Sequence, residues 1–82
     1  MSLPYTEESV GRLFESDVDP HDLVWHRDRE DRRLTVVGDT DWQVQLENEL
    51  PREVDGVYIK AGVWHRLLKG TGSLRVCINE TL

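Results

Sequence analysis

Trp42-Gln43-Val44-Gln45-Leu46 alternates apolar and polar side chains without a break. In an extended chain this puts Trp42, Val44 and Leu46 on one face and both glutamines on the other, the pattern of a half-buried strand. Alternation alone leaves open whether the glutamines line a polar pocket or face water. Turn formers bound the stretch on one side (Gly38-Asp39-Thr40-Asp41), and Leu50-Pro51 breaks it on the other. Working outward, Leu34-Thr35-Val36-Val37 reads as a strand before it and Leu23-Val24-Trp25 as the opening of an earlier one. After it, Asp55-Gly56 turns the chain into Val57-Tyr58-Ile59, which Gly62 ends. Trp64 to Leu68 follows, then the turn Lys69-Gly70-Thr71-Gly72 and a last alternating strand, Leu74 to Ile78. Short strands at close spacing, separated by glycine turns and by no helix, predict an antiparallel sandwich or barrel.

One helix is expected, over residues 6–16. Thr6 is a capping residue, Glu7 and Glu8 fall where the helix dipole favours anions, and Val10, Leu13 and Phe14 form an i, i+3, i+4 stripe. Asp17 to Asp22, with Pro20, reads as a turn beyond it. The pattern shows no internal repeat.

At 82 residues the chain has room for one core, so residues 1–82 are read as a single domain. A domain this small buries a limited fraction of its surface, and covering a further apolar face in a homodimer is the expected remedy. The 16 acidic and 10 basic residues give a net charge of -6, which argues against a nucleic-acid partner. Arg27, Arg29, Arg32 and Arg33 do cluster, but Asp28, Glu30 and Asp31 are interleaved with them, as in an ion-paired turn. Cys77 is the single cysteine, so neither an intrachain disulfide nor a cysteine zinc site is available, and it reads as an inert strand thiol. No apolar run reaches the length of a membrane span and no signal-peptide core is visible, so a soluble cytoplasmic protein is expected.

The side chains capable of chemistry concentrate in Trp25-His26-Arg27-Asp28-Arg29-Glu30-Asp31-Arg32, with a distant counterpart in Gly62-Val63-Trp64-His65. The first segment reads His26-x-Asp28, two residues, Asp31, six residues, Gly38; the second reads Lys60-Ala61-Gly62-Val63-Trp64-His65, with Lys69 four residues on. These segments resemble the two motifs of small single-domain cupins, and the similarity runs over residues 22–79. The departures are Asp28 for a second histidine, Asp31 for a glutamate at one residue shorter spacing, Lys60 for a proline and Lys69 for an asparagine.

The resemblance implies an all-β fold, a small antiparallel β-barrel or jelly roll that brings His26 and His65 together over its mouth. It also implies a divalent metal there (iron, manganese, nickel or zinc), with His26, Asp28, Asp31 and His65 at the matching positions. Two imidazoles and a carboxylate suit such ions. His26 and Asp28, two apart, share a strand face, whereas Asp31 has the wrong parity unless the backbone bends after Arg29. The bland readings are that His26 hydrogen-bonds Asp31 or His65, and that both aspartates pair with the neighbouring arginines. His21 sits in a proline turn and reads as solvated. Arg66 and Lys69 read as solvent-facing, and Trp25, Trp42 and Trp64 as core or dimer interface. The expectation is therefore a cupin-like protein that binds or acts on a small metabolite at a metal. The alternative is a metal-free cupin serving as a ligand-binding, structural or regulatory homodimer.

Overall fold

The computed structural model describes residues 4–8 and 11–81. Among these described residues are eight strands and one 3-10 turn: β1 (Thr6–Glu8), β2 (Gly11–Phe14), η1 (Pro20–Asp22), β3 (Asp31–Val36), β4 (Gln43–Leu46), β5 (Arg52–Glu53), β6 (Tyr58–Ile59), β7 (His65–Leu68) and β8 (Leu74–Thr81). Every pairing is antiparallel. One sheet has the order β1-β2-β8-β3-β6 and the other β5-β4-β7. The all-β antiparallel architecture agrees with the sequence reading, but among the described residues the sheets do not join into a closed barrel.

The expected helix over residues 6–16 is absent; β1 and β2 stand there as a hairpin, in the register Thr6↔Leu13 and Glu8↔Gly11. A helix of that length is marginal on its own, and Gly11 lies inside its apolar stripe. As a strand, β2 instead pairs with β8 through Arg12↔Val76 and Phe14↔Leu74, and Phe14 enters the core. Gly11 fits because a Cβ there would run into the Val76 carbonyl. Val10, also part of the expected stripe, lies outside the described residues.

The core lies between the sheets. Alternation along β3 and β8 turns Leu34, Leu74 and Val76 inward, while Arg33, Thr35 and Arg75 stay exposed. From the other sheet come Trp42, Val44 and Leu46, with Val54, Val57 and Ile59 completing the cluster. Each such side chain stabilises the fold by about 1.5–3 kcal/mol on full burial. The glutamines of β4 face outward, where Gln45 accepts two hydrogen bonds from the Arg66 guanidinium. Trp42 is buried with its indole N–H donating to the Gly72 carbonyl, so its polar atom is satisfied. Asp41 accepts from both the backbone and the hydroxyl of Thr71, pinning the β7–β8 turn to the entrance of β4. Lys69 donates to the Val18 carbonyl instead of standing free in solvent. Cys77 is half-buried. Among the described residues no helix is long and apolar enough to cross a membrane.

The expected strand at Leu23-Val24-Trp25 does not form. The chain touches the edge of β7 at one point only, an antiparallel bridge between His26 and His65, and then crosses to the other sheet as β3.

Candidate metal centre

The bridge is a hydrogen-bonded pair: the His26 amide donates to the His65 carbonyl at 3.0 Å and the His65 amide to the His26 carbonyl at 2.9 Å. Directly opposed residues in such a pair project to the same face. The two imidazoles accordingly stand edge to face with centroids 4.2 Å apart. Asp28, two residues beyond His26, shares that face. Its place is set by a second rung, in which the Gly62 amide donates to the Asp28 carbonyl at 2.8 Å. Gly62 takes φ 83°, a left-handed conformation that glycine adopts without strain, so the turn into β7 closes tightly against Asp28. The sequence expectation that His26 and His65 meet is met in the geometry. They do so between the edge of an open sheet and a crossing segment that makes a single bridge to it, not over a closed barrel mouth.

Both imidazoles are held in one tautomer. Nδ1 of His65 lies 2.8 Å from the Val63 carbonyl and Nδ1 of His26 lies 3.1 Å from the Val24 carbonyl. A carbonyl can only accept, so each Nδ1 carries the proton and each Nε2 of a neutral ring presents a lone pair. This is how metal-binding histidines are oriented. Burial holds His65 below the ordinary histidine range; the adjacent His26 adds to this, while the Val63 carbonyl and Asp28 oppose it. Nε2 of His65 lies 3.2 Å from Oδ2 of Asp28. That approach sets a ring nitrogen against a carboxylate oxygen with no hydrogen bond between them. Oδ2 is buried without a hydrogen-bond donor, while Oδ1 meets Arg32 Nη1 at 3.3 Å.

One ligand atom from each of His26, Asp28 and His65 lies within 4.8 Å of the others, and the three residues have the geometry to hold a metal ion. A tetrahedral shell with bonds near 2.1 Å spaces its donors about 3.4 Å apart. His26, the exposed member, has the freedom to close the remaining gap. Two imidazoles and one carboxylate leave coordination positions open, an arrangement suited to non-haem iron or catalytic zinc.

Asp31 is not brought into this group. It begins β3, and its two oxygens accept from the Tyr58 hydroxyl at 2.6 Å and the Ala61 amide at 2.8 Å. Those two donors hold its carboxyl below the usual range, the Tyr58 contribution being the larger. Asp31 thus clamps the Lys60–Val63 turn that carries Gly62, acting one step back from the site. His21 is exposed and bonded to Asp19.

A cavity of about 50 Å³ opens from the two histidines toward the core, walled by Leu34, Val54, Leu67 and Val76 and reached by the Arg12 and Arg32 side chains. It has room for a few waters, not for a metabolite. On the other side, a shallow groove runs past Arg27, Asp28, Arg29, Ala61 and Gly62. The histidines line the cavity and Asp28 lines the groove.

The site also contains a repeat that the strand-scale reading passes over. Val24-Trp25-His26-Arg27 and Val63-Trp64-His65-Arg66 are the same tetrapeptide, and the bridge pairs them antiparallel about the two histidines. Trp25 is thereby opposite Arg66 and Arg27 opposite Trp64, and each guanidinium lies over its partner's ring, at 4.8 Å and 5.2 Å. A search for identical tetrapeptides would have found it. No known protein family, curated protein or solved structure matches this chain.

Proposed function

We propose that the chain is a small cupin-like metalloprotein that binds one divalent cation through Nε2 of His26, Nε2 of His65 and a carboxylate oxygen of Asp28, and acts on or binds a small metabolite there. The observation that carries this reading is the 3.2 Å approach of the His65 lone pair to Asp28 Oδ2. With Nδ1 of His65 committed to a carbonyl and Oδ2 of Asp28 buried without a hydrogen-bond partner, a cation at this point would satisfy both groups. The fixed tautomers support the same reading, because both Nδ1–H groups are already committed to carbonyls.

A bound cation of this kind supplies Lewis-acid or oxygen-activating chemistry. The protein's own residues do the rest. Arg32 draws Oδ1 of Asp28 aside, leaving Oδ2 for the ion. The apolar wall behind the histidines keeps bulk water from the core side, and the groove beside Arg27 and Arg29 leaves the outer side open to a ligand. The second reading is a metal-free protein in which the trio serves structure or ligand binding alone; the Arg32–Asp28 contact favours it, since that carboxylate already has a cationic neighbour.

Elemental analysis of protein purified without chelator or metal-affinity steps separates the two. Stoichiometric iron, manganese, nickel or zinc in the parent, and none in a His26→Ala/His65→Ala variant, is the expected result. No metal in the parent after reconstitution at neutral pH would sink the metalloprotein reading.

A further inference from the structure

The segment through His26 has two edges, and only one is used. His26 directs its amide and carbonyl at β7. In an extended chain the neighbouring residues direct theirs the opposite way, so the amides and carbonyls of Trp25 and Arg27 point away from the sheet. Within the described residues no hydrogen bond reaches any of these four groups. Val24, Trp25, His26 and Arg27 are all exposed, with Val24 at 59% and Trp25 at 39%. An open backbone edge beside uncovered apolar side chains is a template for a pairing strand.

The sequence of that strand can be read from the bridge already made. Val-Trp-His-Arg pairs antiparallel with a second Val-Trp-His-Arg so that His meets His and each tryptophan meets an arginine. The tetrapeptide is its own antiparallel complement. We propose that the free edge of residues 24–27 pairs with the same edge of a second copy of this chain, about a twofold axis at His26. The register follows from the hydrogen-bonding groups. Trp25 and Arg27 each exchange two bonds with Arg27 and Trp25 of the second copy, and His26 faces its equivalent in the intervening non-hydrogen-bonded position. On the outer face, Trp25 is then sandwiched between Arg66 of its own chain and Arg27 of the other. Four backbone bonds form and the exposed tryptophans are covered. The interaction needs no metal and is independent of the metalloprotein reading.

Sedimentation of the full chain across the micromolar range, with chelator present throughout, tests this. A reversible monomer–dimer equilibrium is expected. Trp25→Lys sets an ammonium opposite Arg27 of the second copy and weakens the dimer by about tenfold or more; Trp25→Glu removes the same ring but offers a carboxylate, and retains the tighter dimer of the two. A parent chain that stays monomeric overturns the proposal, as does a dimer that Trp25→Lys leaves intact or that both variants weaken equally. Hydrogen exchange on the unmodified chain gives a readout free of any folding defect. The Trp25 and Arg27 amides gain protection as concentration rises, whereas the His26 amide is protected at every concentration. Trp25 and Arg27 amides that exchange freely at the highest concentration overturn it equally.

Discussion

Val24-Trp25-His26-Arg27 and Val63-Trp64-His65-Arg66 are identical in sequence and unlike in structure. The second runs into β7, which begins at its histidine and pairs with β4 from His65 to Leu68, and that histidine is buried. The first makes one bridge and remains exposed. Their flanks account for the difference. After Arg66 come Leu67 and Leu68, opposite Val44 and Gln43, with Leu67 packing on the core. After Arg27 come Asp28, Arg29 and Glu30, which have no apolar side chain to turn inward. Strand propensity is a property of what the chain packs against. The asymmetry leaves one histidine buried in the core and the other exposed.

The variants that test this contrast can be ranked by expected effect. His65→Ala should abolish metal binding and also destabilise the metal-free protein by about 1–3 kcal/mol, through the cavity it leaves and the lost Nδ1–H donation to Val63; urea unfolding with chelator reads the second part. Asp28→Asn should abolish metal binding but stabilise the metal-free fold by about 0.5–1 kcal/mol, because a side-chain amide can donate to His65 Nε2 where the carboxylate cannot. A clear destabilisation there would show that the Arg32 contact, not the opposed acceptors, governs the site. His26→Ala should lose the metal at a cost under about 0.5 kcal/mol, as expected of an exposed side chain. Equal destabilisation by the two histidine variants would erase the contrast between the two tetrapeptides.

Asp31→Asn should change least. Metal content should match the parent, since both oxygens of Asp31 are occupied by Tyr58 and Ala61. Its effect belongs to the acid limb. The Asp31 pKa is lowered on folding, so its contribution is fully present above the unfolded carboxylate value near 3.9 and is lost as pH falls through the lower folded value. Urea midpoints measured from neutral pH down through that range should fall less steeply in the variant than in the parent.

What the sequence made legible was whatever local period or turn chemistry dictates. Alternation at Trp42–Leu46 and Leu74–Ile78 marked β4 and most of β8, and Gly62 marked the turn that brings His65 into position. The N-terminal segment was misread because Leu13 and Phe14 satisfy a helical stripe and a strand equally well, and only the edge of β8 decides between them. β5, two exposed residues beyond Pro51, has no apolar pattern to betray it. At the site, parity placed Asp28 beside His26, as the structure has it; Asp31, expected among the ligands through a bend after Arg29, instead takes Tyr58 and Ala61 as its partners. The donors that occupy Asp31, Tyr58 and Ala61, lie about thirty residues away in sequence and no local rule selects them.

The three tryptophans divide along the same line. Trp42 is enclosed in the core, whereas Trp25 and Trp64 each immediately precede a candidate ligand and remain half open to solvent. The molecule therefore carries two optical channels. A quenching ion such as copper or nickel should darken the red-shifted emission of the two outer indoles while the blue-shifted emission of Trp42 persists, and denaturant should shift Trp42 in turn. Titration followed at both edges of the emission band would distinguish occupancy of the site from loss of the fold in a single cuvette.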